Sequence, residues 1–286
     1  MTFIRIKTEN YNKIGIICLN NPENLNIIES DTFQEINFAL DSFEKDNNIK
    51  IILIKANCGV SKTGKKVFSA GVNLKEYSKK FDLADKNPTE FKNSLKKSRQ
   101  LMTKIEKFKK PVIIGIDGIT CGGFFELALA CDLIFASEKA SFRLNEANLG
   151  LIPGYGGISR LLKIVGKNKT FEIVATGKEI NPKEALNLGI VAEIFDNSKF
   201  EEKTLEYCEN LAEKSSNSLY LIKNTIHQLL RHCEQNEAIH FWIASFCSQT
   251  PRNDDFQTIE EIETENFLKA IQSKDSREGI KAFLDK

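Results

Sequence analysis

Apolar residues fall in two rhythms along this chain. Short runs such as Ile14-Gly-Ile-Ile-Cys-Leu19, Ile49-Lys-Ile-Ile-Leu-Ile-Lys55 and Pro111-Val-Ile-Ile-Gly-Ile-Asp117 are dense in β-branched residues, and each predicts a strand. Residues 3–7 alternate apolar and polar and predict a further strand, with the turn-prone Glu9-Asn-Tyr-Asn12 between it and residues 14–19. Asp132-Leu-Ile-Phe-Ala136 predicts another. Helical spacing appears at Phe33, Ile36, Asn37, Leu40 and Phe43, with Ser30 placed as an N-cap. It returns over residues 92–107, near 158–165, 167–175 and 182–188, and throughout the chain beyond about residue 200. Phe124-Phe-Glu-Leu-Ala-Leu-Ala-Cys131 is apolar on nearly every face, which predicts a helix at the centre of the molecule. Residues 75–100 are Lys-rich and weakly apolar, and predict an exposed segment leading into helix 92–107. The alternation of strand, strand and helix through residue 195 predicts an α/β core over residues 1–200 and a helical C-terminal region over 201–286. No short-period repeat and no low-complexity linker divides them.

Composition narrows the class. The 286 residues are 41% hydrophobic and 28% charged, the balance of a globular protein with a real core. A net charge of +1 leaves no global basic field for nucleic acid, so any phosphate must be recognised locally. No long apolar run predicts a membrane span, and the N-terminus lacks the apolar stretch of a signal peptide. The seven cysteines (18, 58, 121, 131, 208, 233 and 247) are scattered without a Cys-x-x-Cys pair, which predicts free thiols, no structural zinc and a reducing cytoplasm.

The first candidate chemistry is a near-miss. Gly59-Val-Ser-Lys-Thr-Gly64-Lys65 follows a strand as a nucleotide-binding P-loop does. The next residue is Lys66, however, where the mechanism needs a hydroxyl to ligate magnesium, and Val67-Phe68-Ser-Ala-Gly71 is a poor helix start. A polar surface loop is the better reading.

Stronger signals lie downstream. Gly122-Gly123 sits where a strand gives way to the apolar helix, so unpaired backbone N–H groups and close approach are both available there. Glu126 falls in the first turn of that helix, where burial raises a carboxyl's pKa and suits it to acid–base work. A dipole-complementing glutamate and a packing Gly-Gly remain the bland alternatives.

Taken together, several ordered motifs resemble the enoyl-CoA hydratase/isomerase (crotonase) superfamily. They are Asn21-Pro-Glu-Asn-Leu-Asn26, Phe68-Ser-Ala-Gly-Val-Asn-Leu-Lys-Glu76, Lys110 through Asp132, Phe142 through Gly157, Thr176 through Ala185 with Leu188 through Ala192, and Ser276 through Leu284. The resemblance implies a crotonase-like spiral of strand–strand–helix units. It implies an oxyanion hole made by the backbone N–H groups of Val72 and Gly123, and two catalytic carboxyls, Glu126 and Glu146. It further implies that Gly154 helps to hold the reacting water, and that Lys66, Ala70, Asn73, Leu74 and Gly122 contact a CoA thioester. Coenzyme A then arrives as part of the substrate, with no resident cofactor or metal. Adding water to a 2-enoyl thioester needs a base and an acid, and two carboxyls in one dry site can hold different protonation states. Hydration is therefore the expected reaction, with 3-enoyl isomerisation, decarboxylation or C–C cleavage as the alternatives. Family resemblance also implies a homotrimer or a pair of trimers, held partly by C-terminal helices.

Some positions depart from the family pattern. Phe124 stands where relatives carry a third glycine, Asn145 where a proline is common, Asn73 where aspartate is common, and Glu23 where some have a basic residue. The stretch between Ile226 and Ile262 is longer than in compact relatives, and its His227, His232 and His240 have no metal-ligand spacing.

Overall fold

A computed structural model describes residues 3–29, 31–78, 80–235 and 259–285 of the chain. Two sheets form its frame. The larger has the order β1 (Ile6–Tyr11), β2 (Ile14–Leu19), β3 (Ile51–Ala56), β6 (Val112–Ile116), β8 (Leu133–Ser137) and β10 (Glu193–Phe195). The smaller has β4 (Gly59–Val60), β5 (Lys66–Ser69), β7 (Ile119–Cys121) and β9 (Ser141–Arg143). Apart from the hairpins β1–β2 and β4–β5, every pairing within the two sheets is parallel.

The order of elements explains the spiral. Strands β3, β6 and β8 of the large sheet each run on into a strand of the small sheet, and then into helix. After β5 come α2 (Leu74–Ser78), α3 (Lys80–Lys86) and α4 (Pro88–Lys107); after β7 comes α5 (Gly123–Ala128); after β9 comes α6 (Gly157–Thr176). Helix α1 (Thr32–Lys45) precedes β3, and α7 (Pro182–Asn187) precedes β10. The chain continues through α8 (Phe200–Ala212), α9 (Ser216–Gln235), α10 (Ile259–Gln272) and α11 (Lys274–Leu284).

The central strands are apolar at successive positions because both faces of the large sheet are covered. Ile14, Ile16, Ile51, Leu53 and Ile113 pack with Phe200, Cys208 and Ala212 of α8. Their neighbours Ile17, Leu19, Ile52, Ile54, Val112 and Ile114 point the other way, into the main core with α1, α4 and α5. Phe267, Leu268 and Ile271 of α10 and Ile280 of α11 join that same core.

Several sequence expectations move. The first strand is Ile6–Tyr11, not residues 3–7, and the turn falls after it because Tyr11 pairs with Ile14. Only Ile6 of this edge strand is buried, so backbone pairing rather than side-chain alternation sets its limits. Residues 75–100 are not an exposed lead-in: they form α2, α3 and the first part of α4, and bury Tyr77, Ala84, Phe91, Leu95 and Arg99. Helices 158–165 and 167–175 join as α6, bent at Gly166, whose φ of 72° and ψ of 173° lie outside the helical region. The P-loop-like stretch is the β4–β5 hairpin and its turn, with no helix behind it. The N-cap expected at Ser30, the side chain of His232, and residues His240 and Trp242 lie outside the described residues.

Candidate active site

Three loops meet at the N-terminal end of α5. The first follows β5. Asn26, 3% exposed, donates from Nδ2 to the carbonyls of Asn57 and Phe68, both at 2.9 Å, and accepts from the Asn21 N–H at 2.8 Å. Ser69 Oγ donates to the Asn26 carbonyl at 2.7 Å and accepts from the Gly71 N–H at 3.2 Å. Ala70 N–H reaches the Leu25 carbonyl at 3.0 Å. The Asn21–Asn26 turn, with Leu25 and Asn26 at φ of 53° and 47°, is therefore the template on which the Ala70–Val72 loop is laid. Ile28 N–H then binds the Gly71 carbonyl at 2.7 Å, and Asn73 N–H binds the Ile28 carbonyl at 3.0 Å. The N–H of Val72, between them, has no acceptor among the described residues. Asn73 accepts from the N–H groups of Lys75 and Glu76 at 3.1 and 3.4 Å, so it caps α2. Leu74 is the first residue of that helix.

The second loop is Cys121-Gly-Gly123. Gly122 has φ 54° and ψ −128°, a conformation for glycine. A methyl group there would stand 3.1 Å from Glu146 Oε1 and 3.9 Å from Gly71 Cα, so the first two loops and Glu146 are in direct contact. Gly123 N–H is likewise without an acceptor among the described residues. Phe124 is fully buried and lies edge-on to Phe33 and Phe68, with ring centroids 6.0 and 6.3 Å away.

The third loop, Leu151–Gly157, carries Gly154 and two donors. Glu126, 1% exposed, receives the N–H groups of Tyr155 and Gly157 on its Oε1, each at 2.8 Å. Glu146 opens a single 3₁₀ turn, Glu146–Leu149, and its Oε2 is buried with no hydrogen-bond partner among the described residues. Both carboxyls are pushed up. Burial is the main cause for Glu126, raised to about 7, with the two N–H donors pulling it back and the Glu263 charge adding to the rise. Burial is again first for Glu146, raised to about 8, and the facing charge of Glu126 comes second. Because the groups interact, these titrations belong to the pair. The phenols of Tyr77 and Tyr155, which face the same carboxyls, are held protonated chiefly by burial.

Beside Val72 and Tyr155 lies a cavity of about 410 Å³, floored by Ile28, Phe33 and Tyr77 and rimmed by Asn73, Lys80 and Lys97. Lys66 is elsewhere. It forms an ion pair with Asp117 and lines a smaller hollow with Lys55, Asn57 and Glu201. Thus Ala70, Val72, Asn73, Gly122, Gly123, Glu126, Glu146 and Gly154 fall around one site, and Lys66 stands apart from it. Sequence reasoning missed Asn26 as the organiser of the first loop and missed the buried Arg99, whose place in the apolar row Phe91, Leu95, Arg99 was the available signal. Among the described residues no group of three or more His, Cys, Asp or Glu is placed to hold a metal ion.

A spiral of strand–strand–helix units that brings the buried Glu126 and the half-buried Glu146 between glycine loops is a crotonase-type site. The chain belongs to the enoyl-CoA hydratase/isomerase family, which residues 9–258 match. It is 32% identical over 274 residues to a probable enoyl-CoA hydratase of Bacillus subtilis (strain 168), covering 96% of this chain and 93% of that one. It is 29% identical to a 2,3-dehydroadipyl-CoA hydratase of Escherichia coli (strain K12), with 96% and 93% covered. Among solved structures, a methylmalonyl-CoA decarboxylase complexed with 2S-carboxypropyl-CoA superposes with a TM-score of 0.77 at 26% identity, over 100% of this chain and 97% of the other.

Proposed function

We propose that the protein hydrates 2-enoyl-CoA thioesters to 3-hydroxyacyl-CoA, with no resident cofactor. The observation that carries this reading is a pair of interacting carboxyls in unlike surroundings, beside two glycine loops whose N–H groups have no acceptor among the described residues. Glu126 has two N–H donors on one oxygen, which favour its carboxylate, whereas Glu146 has an unpaired oxygen and faces that charge. Glu126 is then the base and Glu146 the acid. The Glu126 carboxylate takes a proton from water as the water oxygen bonds to C3. The C2=C3 π electrons move toward the thioester carbonyl, where the N–H groups of Val72 and Gly123 hold the enolate oxygen. Glu146 delivers its proton to C2 as the enolate collapses, and proton exchange with solvent resets the pair.

Loss of enoyl-thioester absorbance with crotonyl-CoA and longer 2-enoyl-CoAs tests the reaction. Glu126→Gln and Glu146→Gln should each lower kcat by roughly 10²–10⁴-fold, and a wild-type protein inactive at every chain length would sink the proposal. The likeness to methylmalonyl-CoA decarboxylase keeps a second reading in view, in which the same oxyanion hole stabilises an enolate formed by loss of carbon dioxide. Product identification separates the two. For Lys66 the proposed part is a CoA phosphate contact in exchange for Asp117, so Lys66→Ala should raise KM with little change in kcat. The free thiols of Cys18, Cys58, Cys121, Cys131 and Cys208 support a reducing compartment, the cytoplasm.

A further inference from the structure

Behind Glu126 lies a set of charges that the reaction scheme leaves unused. Arg99 is 3% exposed and sits on α4 where the spacing of Phe91 and Leu95 asks for another apolar side chain. Its Nε donates to the Gly154 carbonyl at 2.8 Å and its Nη1 to Thr264 Oγ1 at 2.7 Å. Arg160, on α6, donates from Nη1 to the carbonyls of Tyr155 and Gly156 at 2.9 and 3.1 Å, and its other two nitrogens grip Glu106 at 3.0 Å each. Glu263, on α10, accepts the Ser159 N–H at 2.9 Å and lies 3.9 Å from Arg99. Three consecutive carbonyls are therefore held by two guanidinium groups, while N–H groups of the same stretch reach Glu126.

A peptide unit is planar, with its oxygen and its N–H on opposite sides. The Gly154 carbonyl and the Tyr155 N–H belong to one such unit, so gripping the oxygen fixes where the N–H points. We infer that Arg99 is a positioning residue for the proposed hydration: by holding the Gly154 carbonyl it aims the Tyr155 N–H at Glu126. This rests on the function proposed above. An apolar side chain would fill the same space without the cost of burying a cation, so filling space alone does not account for a guanidinium here. The rigid fork of arginine serves two acceptors, Gly154 and Thr264, at fixed angles, which a lysine cannot do.

The test uses the full chain carrying Arg99→Met or Arg99→Lys, with thermal melts to establish folding. With crotonyl-CoA, Arg99→Met should lose roughly 10- to 100-fold in kcat at nearly constant KM, and Arg99→Lys should recover part of the loss. Amide exchange at Tyr155 and Gly157 should quicken in Arg99→Met. Wild-type kcat and wild-type exchange in that variant would overturn the inference. Should Arg99→Met fail to fold, Thr264→Val removes one of the two anchors of the guanidinium: a lower kcat at unchanged KM supports the inference, and an unchanged kcat overturns it. A wild-type protein without hydratase activity removes the proposed function instead, and leaves the exchange measurement to decide on Arg99.

Discussion

Two glutamates of the same chemistry acquire different tasks from their nearest atoms. On Glu126 a single oxygen collects two backbone N–H groups, and on Glu146 one oxygen is buried with none. Both shifts are upward, so each carboxyl keeps its proton to higher pH than in the unfolded chain. In the proposed mechanism the active form has Glu126 charged and Glu146 protonated. Its population rises as the coupled pair gives up its first proton and falls as it gives up its second, between about pH 7 and about pH 8. A pH profile of kcat/KM should therefore be a narrow bell with its limbs in that range, and a flat profile from about pH 6 to pH 9 would contradict the assignment.

At the scale of elements, the site is a matter of which turn templates which loop. Asn26 belongs to a turn between β2 and α1, yet its amide and carbonyl hold the strand and loop that carry Val72. Asn26→Ala removes three hydrogen bonds, two of them buried, and should cost roughly 2–3 kcal/mol of stability, read by urea unfolding, together with a fall in kcat. A stability loss with kcat intact would separate the turn from the oxyanion loop. The central strands were legible in the sequence because burial on both faces leaves unbroken apolar runs. The glutamates and glycine pairs were legible because their motifs are contiguous. β7 and β9, of three residues each, were not, since their only support is pairing with strands remote in sequence. The 75–100 segment misled because its lysines outnumber the few apolar positions that turn inward. Arg160 and Glu263 were hidden for a related reason: they act on backbone carbonyls and N–H groups, which no sequence motif displays, and for Arg99 the only signal was its place in the apolar row of α4.

For the whole molecule, the unfinished surface is α9. Leu221, Ile222, Ile226 and Leu229 are 49%, 58%, 52% and 60% exposed, a run that the described residues leave uncovered. The trimer or pair of trimers that family resemblance implies would cover such a face. Size-exclusion with light scattering should give three or six times the 32.4 kDa of one chain, and a strict monomer would count against it. The packing of α10 under the active-site loop carries a consequence for how the protein comes into being. Phe267 lies against Gly154, and Thr264 and Glu263 meet Arg99 and the start of α6. During synthesis the glutamates and both glycine loops leave the ribosome long before these partners do. A chain arrested before α10 would hold the proposed catalytic groups, Val72, Gly123, Glu126 and Glu146, and yet lack the inferred brace beneath their loop. On the proposed mechanism, catalytic competence thus waits until α10 has been made and has docked beneath the loop.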